Sequence, residues 1–390
     1  MLHRSSMKYY EEYLSSNGFA VSYCEFRNKP RYKKAWMFDP VDKIVVPRIA
    51  EVFENPGFML TKEHYATYKR MKKEKYMFYW FYMWAKKVVD IIPGIKSKDK
   101  ENRRRLRPGI TIPDLPSNRN DRKYIQESIE YVETHFKNNH GTTDNFLFPV
   151  THATAAKWFD DFIKNRFALF GPYQDAIHKD NDFLFHSCMS SSLNCGLIVP
   201  ANMIRRIRTL EKKIPLNSYE GFIRQLFWRE YQRYCYIYYD FRNKNFFGNK
   251  KRIGRNWYDG TVGCMPVDTC IKNAFRNGYL NHIQRLMIIG NFMNLTGINA
   301  WEGFKWFMEF SCDSYEWVMY QNVLDMAFCI TGGRAHGGTM QKPYISSSHY
   351  IRKMGNYTHG NWCKQWDTLY WKFVKKHAKK LKVFRFFITK

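Results

Sequence analysis

Between His282 and Tyr350 the sequence places ionisable side chains in largely apolar surroundings. His282 and Arg285 stand in the run HIQRLMIIGNF, Asp313 stands in FSCDSYEW, and Tyr344 and Tyr350 bound the segment YISSSHY after a Lys-Pro turn. Polar groups among so much apolar surface must be paired within the protein or must bind something. The residue types therefore predict a site for a flat, anionic, redox-active ligand.

A serine-rich stretch lies upstream, in residues 186–198. Ser190, Ser191 and Ser192 precede an apolar run there. Serines at a helix start offer hydroxyls and free backbone N–H groups, which together suit a phosphate. Most serine-rich helix starts are only caps, so this stretch alone leaves both interpretations open.

Residues 221–241 predict a helix rich in aromatic and basic side chains. Gln225, Trp228, Arg229 and Arg233 fall close to one helical face. An indole beside guanidinium groups can stack on a planar ligand or a base while an arginine pairs a phosphate. The alternative is an ordinary amphipathic helix with a buried tryptophan.

His282 also has two interpretations. A lone histidine on an apolar face is usually a core residue with satisfied hydrogen bonds, whereas one beside a redox ligand can donate a proton. The glycines of residues 256–263, with Pro266 and Asp268, predict a turn that begins a helix, after which Asn281, His282 and Arg285 follow.

Helical periodicity from about residue 121 onward positions all of these stretches. Apolar residues recur at helical spacing, and polar breaks separate the segments. The pattern predicts a mainly α protein with one large all-α domain over residues 121–390. The predicted helices cover residues 121–139, 151–169, 200–213, 217–239, 266–280, 282–296, 301–311 and 313–328.

Residues 1–50 look like a fragment of an α/β unit. Met7–Ser16 has helical periodicity, Gly18 ends it, and Phe19–Phe26 alternates like a strand. One helix and one strand cannot form a doubly wound sheet. The domain is then small, or its beginning is missing from this sequence.

Residues 51–120 form a connector. A turn at residues 55–57 and a capped start at Thr61 predict helices in residues 51–90, and the prolines and arginines of residues 91–120 predict a basic linker. The aromatic run from Tyr76 to Trp84 stands among lysines, namely Lys72, Lys73, Lys75, Lys86 and Lys87. Such a combination can bind single-stranded nucleic acid, but a core-facing stripe with snorkelling lysines is the favoured interpretation.

Composition narrows the choice of partners. The 390 residues carry a formal net charge of +28, and 18% of them are aromatic. So basic a chain favours a polyanionic partner, nucleic acid first, over a surface that is basic only for solubility.

The cysteines and the apolar runs bear on the compartment. The nine cysteines lack a CxxC pair or zinc spacing, which favours reduced thiols in an intracellular protein. The longest apolar run, Met77–Ala85, is too short to span a bilayer, so we expect a soluble protein without a membrane partner.

Taken in order, these stretches resemble the photolyase/cryptochrome family. The resemblance is to the deoxyribodipyrimidine photolyase-related branch, which includes iron–sulfur bacterial cryptochromes and prokaryotic (6-4) photolyases. It covers residues 120–375 closely and residues 1–115 loosely. It implies an all-helical FAD-binding domain preceded by a truncated α/β remnant, and UV-damaged DNA as the partner.

The resemblance also implies roles for individual residues, carried over position by position. His282 is implied as the proton donor near the lesion, and Trp228, Tyr344 and Tyr350 as the side chains that hold the lesion. The implied FAD-binding residues are Ser187, Ser190, Ser191, Gln225, Arg229, Arg285, Asp313 and Asn322. The implied electron-transfer residues are Trp306 with Trp257 or Tyr258.

Several positions depart from the family pattern. Pro266, Thr358 and Asn361 stand where iron–sulfur members have cysteines, so we predict that no iron–sulfur cluster forms. Asn281 stands where (6-4) relatives usually show a second histidine, and Met319 where some relatives show a glutamate. Phenylalanine, a poor hopping station, stands at position 307 in place of a tyrosine of the electron path.

The family's opening α/β domain binds an antenna chromophore, and the missing start of that domain argues against an antenna site here. The fragment is then either a truncated product or is completed by a separate chain. The favoured function is a FAD-dependent photolyase for UV pyrimidine lesions, with (6-4) photoproducts preferred. The alternatives are a cryptochrome-like photoreceptor without repair and a degenerate nucleic-acid-binding paralogue.

Overall fold

The computed structural model of this chain describes residues 1–26, 28, 33–43, 50–71 and 77–384, without the side chain at position 335. Lys72, Lys73, Lys75 and Tyr76, which belong to the predicted stripe of aromatics and lysines, lie outside these described residues.

Helices make up most of the described chain, which confirms the predicted mainly α class. Every segment predicted to be helical after residue 121 is helical over most of its length. The helix at Asn361–Lys376 is a further one, outside the predicted segments. The helices are α1 (Leu2–Ser16), α2 (Lys62–Arg70), α3 (Phe78–Val88), α4 (Arg122–His135), α5 (His152–Asp161), α6 (Phe167–Phe170), α7 (Ser190–Asn194), α8 (Pro200–Arg208), α9 (Leu216–Tyr238), α10 (Asn256–Asp259), α11 (Met265–Asn277), α12 (Asn291–Thr296), α13 (Ala300–Phe310), α14 (Glu316–Met319), α15 (Ser348–Met354), α16 (Asn361–Lys376) and α17 (Ala378–Leu381).

Tighter and wider helical turns extend these elements. π-helical segments cover Phe162–Arg166, Gln284–Gly290 and Tyr320–Ala327. Short 3-10 turns cover Asp99–Glu101, Arg119–Asp121, Arg334–His336 and Lys382–Phe384. π-helical turns occur frequently at functional sites, so the segments Gln284–Gly290 and Tyr320–Ala327 are candidate positions for one.

A two-stranded parallel sheet stands where the α/β fragment was predicted. β1 (Ala35–Phe38) pairs in parallel with β2 (Ala50–Phe53), so the prediction that residues 51–90 are helical is wrong at their start. The strand predicted at Phe19–Phe26 is also wrong. Alternation alone cannot form a ladder, and the segment instead packs on α1, where Glu25 forms an ion pair of 2.7 Å with Arg4.

The capped start predicted at Thr61 is confirmed. The Thr61 hydroxyl accepts a hydrogen bond from the backbone N–H of His64, and the His64 ring accepts one from the backbone N–H of Thr61. These reciprocal bonds satisfy two donors that would otherwise lack partners at the beginning of α2.

α9 joins the two large hydrophobic clusters of the protein. Trp228 packs against both clusters, and most of the helix is buried. Buried polar contacts also attach the N-terminal region to α9, since Glu230 accepts hydrogen bonds from the backbone of Met59 at 2.9 Å and the Tyr65 hydroxyl at 2.7 Å. The division at residue 120 stays a proposal, and the packed core itself continues across it.

The described helices include none that is long and apolar enough to cross a membrane. All nine cysteines are unpaired. Within the described ranges, His, Cys, Asp and Glu side chains do not form a group of three or more that could hold a metal ion.

Candidate functional site

A buried ion pair connects Arg285 with Asp313. Arg285 Nη1 lies 2.9 Å from Asp313 Oδ1, and the two side chains are 14% and 12% exposed. Ser190 donates to the other carboxylate oxygen at 2.6 Å, and the Ser311 hydroxyl also donates to Asp313. Burial alone would raise the pKa of Asp313, but Arg285 and the two serines together lower it. The carboxylate is therefore held charged inside the protein.

The serine stretch meets this ion pair through a short helix. α7 begins at Ser190, whose hydroxyl is already engaged by Asp313. The hydroxyls of Ser191 and Ser192 are buried and have no hydrogen-bond partner among the described residues. Ser187 is half-buried in the preceding loop. The prediction that this stretch offers free hydroxyls thus applies to Ser191 and Ser192 rather than to Ser190.

Arg229 is held by the protein on several sides. Its Nε donates to Asn194 Oδ1 at 3.0 Å, and its Nη1 donates to the carbonyl of Gly57. The guanidinium carbon lies 4.3 Å from the ring centre of Phe58 and 5.0 Å from that of Trp317. Burial lowers the pKa of Arg229 to about 10. Arg229 thus forms part of the wall, and its role toward a cofactor stays a prediction.

Asn194 links Arg229 to the ion pair. Its Nδ2 donates to the backbone carbonyl of Asp313 at 2.9 Å, while its Oδ1 accepts from Arg229. Three stretches that are far apart in the sequence, those of α7, α9 and Asp313, therefore meet in one hydrogen-bonded group.

Trp228 and Asn322 are also brought together. Trp228 Nε1 donates to Asn322 Oδ1 at 3.1 Å, and the indole packs edge-on against Phe78 with ring centres 4.6 Å apart. Asn322 and Arg285 each stand in a π-helical segment. Met319, one of the departures from the family pattern, is 2% exposed in the apolar core. Gln225 is half-buried on α9, one turn before Trp228.

Asn281 caps the helix that carries His282. Asn281 Oδ1 accepts from the backbone N–H groups of Ile283 and Gln284, both at 3.1 Å, and Gln284 Oε1 accepts from the backbone of Asn281 at 3.1 Å. This reciprocal cap starts the helix at His282. The asparagine that departs from the family pattern therefore has a structural role.

His282 itself is solvent-accessible. The surrounding protein nevertheless lowers its pKa, first by desolvation and then by the nearby cation of Arg285. The ring is therefore neutral at pH 7 unless a ligand adds negative charge beside it.

Tyr344 and Tyr350 lie beside a different charged group. The charges of Arg103, Asp99 and Asp175 act on Tyr344, and those of Asp175 and Arg103 act on Tyr350. Arg103 contacts Asp99 at 2.5 Å and Asp175 at 3.6 Å. Burial and then Asp99 raise the pKa of Asp175 to about 6.

This second group reaches α9 through Arg224, which pairs with Asp99 at 3.1 Å. Asp99, Asp175 and Arg224 were not among the residues predicted for the site. Only the triple arginine of residues 103–105 pointed to the area, and a run of arginines by itself is usually a solvated loop.

The aromatic residues predicted to carry electrons are contiguous. Trp306 is fully buried, donates to the carbonyl of Trp257 at 2.8 Å and has its ring centre 6.4 Å from that of Trp257. On its other side Phe310 lies 4.7 Å from Trp306, and the Arg285 guanidinium lies 5.5 Å from Phe310. A chain of rings thus begins beside the ion pair.

Tyr258 continues this chain toward the surface. Phe275 lies 5.8 Å from Trp306 and 5.7 Å from Tyr258 by ring centres. The Tyr258 hydroxyl donates to Glu309 at 2.6 Å. Both exits that the sequence left open, through Trp257 and through Tyr258, therefore contact Trp306 directly or through one phenylalanine.

The cysteines near the expected cluster positions are buried. Burial is the main reason that the pKa of Cys264 rises to about 12, and the nearby Cys363 contributes to the rise. Cys270 contacts Tyr357 instead. The prediction that no iron–sulfur cluster forms stays a prediction.

Comparison with known proteins adds to this geometry. The profile of the family described as deoxyribodipyrimidine photo-lyase-related protein matches residues 1–148. A (6-4) photolyase of Agrobacterium fabrum is 36% identical over 299 residues, which cover 73% of this chain and 58% of the relative. Uncharacterized protein R853 of Acanthamoeba polyphaga mimivirus is 47% identical over 111 residues, 27% of this chain and 85% of that protein.

Among solved structures, a bacterial class III photolyase from Agrobacterium tumefaciens superposes with a TM-score of 0.45 at 17% identity, covering 60% of this chain and 56% of that one.

The profile and the (6-4) photolyase relative define the class as photolyase-related. The chain belongs to the deoxyribodipyrimidine photolyase-related family, and it spans little more than half the length of the (6-4) photolyase that it matches. The family profile falls on the N-terminal part of the chain, where the predicted resemblance is looser.

Proposed function

We propose that this chain is a FAD-dependent DNA photolyase that repairs UV-induced pyrimidine lesions, with (6-4) photoproducts as the preferred lesion. One observation carries the proposal. Ser190, Arg285 and Asp313, which the resemblance assigns to FAD from separate stretches, are joined by hydrogen bonds of 2.6 and 2.9 Å in a buried site.

The polar atoms left over at this site fit a dinucleotide cofactor. Ser191 Oγ, Ser192 Oγ and Arg285 Nη2 are buried without a partner among the described residues. Buried donors without partners are costly, and an anionic ligand would satisfy them. Ser191, Ser192 and Arg285 would therefore hold FAD from one side and Asn322 from another. When bound, FAD would supply the light-excited electron.

The remaining residues would handle substrate and electrons. Trp228, Tyr344 and Tyr350 offer aromatic surface for a base flipped out of the duplex, which costs least at a damaged base. His282 is accessible for proton donation. The net charge of +28 favours binding to DNA phosphates.

The decisive experiment is to purify the protein, record its visible absorbance and assay UV-damaged oligonucleotides under blue light. We expect a yellow protein that repairs (6-4) lesions after reduction. A colourless protein that cannot be loaded with FAD would contradict the flavin proposal and leave the nucleic-acid-binding paralogue. His282→Ala should abolish repair and spare flavin binding.

A cryptochrome-like photoreceptor is the second candidate. Its support is that Asn281 serves as a helix cap and that the pKa of His282 is lowered, which together weaken proton donation at the lesion. A yellow protein that photoreduces normally but repairs neither cyclobutane nor (6-4) lesions would favour this candidate.

Electron supply gives a separate prediction. Trp306→Phe should slow photoreduction of bound flavin by at least about tenfold. The phenylalanine ring would then stand between the flavin and both predicted exits, Trp257 and Tyr258, and phenylalanine is a poor hopping station for electrons. Trp371→Phe, which changes a tryptophan that is 51% exposed, is the matched control and should leave the rate unchanged. Equal rates in both variants would exclude Trp306 from the path.

A further inference from the structure

His186 lies in the loop before α7 and was not among the predicted site residues. Its backbone N–H donates to the carbonyl of Phe183 at 3.0 Å, and its carbonyl accepts from Arg166 Nη1 at 3.1 Å. Its ring atom Nε2 is buried and has no hydrogen-bond partner among the described residues. The backbone is thus fixed, and one ring nitrogen is left inside the protein without a hydrogen-bond partner.

The loop around His186 has strained backbone. Leu184 and Cys188 have φ values of 46° and 55°, in the left-handed region that side chains other than glycine rarely adopt. Such a conformation is unfavourable for a residue with a side chain, and it persists only where surrounding contacts impose it. Leu184 and Cys188 are buried, at 0% and 4% exposure, so packing holds the loop in one shape.

Asp182 fastens this loop to the helix that carries His282. Its Oδ1 accepts from Gln284 Nε2 at 2.6 Å, and its backbone carbonyl accepts from Asn281 Nδ2 at 3.1 Å. Asp182 is 2% exposed. Because Asn281 and Gln284 also cap the helix at His282, the same contacts fix both His186 and His282 with respect to each other.

The charged groups around the two rings are mainly cationic. Arg166 faces His186 and is already paired with Asp161 at 2.7 Å. Arg285 faces His282 and is already paired with Asp313 at 2.9 Å. Burial and then the charge of His282 lower the pKa of His186 to about 4. The pair therefore lacks the negative charge that would stabilise a proton.

We propose that His186 faces the bound ligand and forms a coupled pair with His282, so that the pair takes up one proton when an anionic group binds beside Arg285. The proton comes from the buffer, and the added negative charge offsets Arg166 and Arg285. This inference rests on the proposed function, because FAD and damaged DNA are the two sources of that anionic group.

Isothermal titration calorimetry in two buffers of different ionisation enthalpy measures this proton uptake. One arm titrates flavin-free protein with FAD, and the other titrates the FAD-loaded protein with a (6-4)-containing oligonucleotide, both at pH 6.5. We expect uptake of about one proton in one arm and loss of that uptake in His186→Gln.

His377→Gln is the matched control. His377 also has a pKa lowered to about 4 and a buried Nε2 without a partner among the described residues. It packs instead against Phe373 and Phe247, with ring centres 4.5 and 5.1 Å away. Proton uptake should survive this substitution. Uptake that is unchanged in His186→Gln, or lost equally in His377→Gln, would overturn the inference.

If neither FAD nor the oligonucleotide binds, the proposed function is contradicted, and a second measurement still tests whether His186 and His282 are coupled. In that case the titration of His282 is followed by NMR in the protein alone. Because coupled groups titrate as a pair, His186→Gln should raise the midpoint of His282 by roughly half a pH unit or more. An unchanged midpoint would show that the two rings are independent.

Discussion

Asp313 and Asp175 are both partly or fully buried carboxylates beside an arginine, yet their pKa values shift in opposite directions. The pKa of Asp313 is lowered, whereas that of Asp175 is raised to about 6. Asp313 has Arg285 at 2.9 Å and accepts from two serine hydroxyls. Asp175 has Arg103 only at 3.6 Å.

The difference lies in how each arginine is shared. Arg285 contributes its cation to Asp313, but Arg103 lies closer to Asp99, at 2.5 Å, than to Asp175. Asp99 adds like charge and raises the pKa of Asp175 further. A buried carboxylate is therefore held charged by the number and closeness of its donors, and proximity to an arginine alone does not suffice.

The largest expected effect is that of Asp313→Asn. It removes one partner of a buried ion pair and leaves Arg285 uncompensated, so the free energy of unfolding should fall by about 3 kcal/mol. Urea unfolding at pH 7 measures this. The control is Asp240→Asn, which changes an exposed pair with Arg242 at 2.8 Å and should leave the unfolding midpoint unchanged. Equal unfolding midpoints for both variants would show that the buried Arg285–Asp313 pair contributes no more to stability than the exposed pair.

Asp175→Asn, the same substitution at the second carboxylate, should change the free energy of unfolding in the opposite direction. Because its pKa is raised from 3.8 to about 6, the folded protein binds this proton more tightly than the unfolded chain. Above pH 6 the charged carboxylate thus destabilises the fold. Asp175→Asn should raise the free energy of unfolding by roughly 1–2 kcal/mol at pH 8 and by almost nothing at pH 4. If Asp175→Asn instead lowers the free energy of unfolding at pH 8, the charged form of Asp175 stabilises the fold as that of Asp313 does.

Ser190→Ala tests the role of the hydroxyl donors and should have the smallest effect. Loss of the 2.6 Å bond to Asp313 should cost about 1 kcal/mol and raise the pKa of Asp313, as measured by carboxyl NMR. Ser15→Ala is the control, because it removes a hydroxyl from the exposed surface of α1. An unchanged pKa in Ser190→Ala would assign the whole shift to Arg285.

Local signals explain what could be predicted of the fold. The helices after residue 121 follow from 3.6-residue periodicity, and the start of α2 follows from the residue types at Thr61 and His64. The predicted strand was wrong because alternation at Phe19–Phe26 does not reveal whether a partner strand is adjacent. β1 and β2 pair across an interval of the chain that no local pattern marks.

The candidate site divides in the same way. The residue types of Arg285, Asp313 and Trp228 and their order along the chain were enough to single them out and to support the family resemblance. Tertiary structure alone placed Asp182 and His186 beside the helix of His282, and Asp99 and Asp175 beside the tyrosines.

The physical reason is distance along the chain. Ser190 and Asp313 are separated by 123 residues, and Asp182 and Gln284 by 102. Helical periods and caps act over a few residues, so the sequence by itself determined which helices form and which face of each is apolar. Which buried carboxylate receives a close arginine, and which histidine is left without a partner, was decided only when those helices packed.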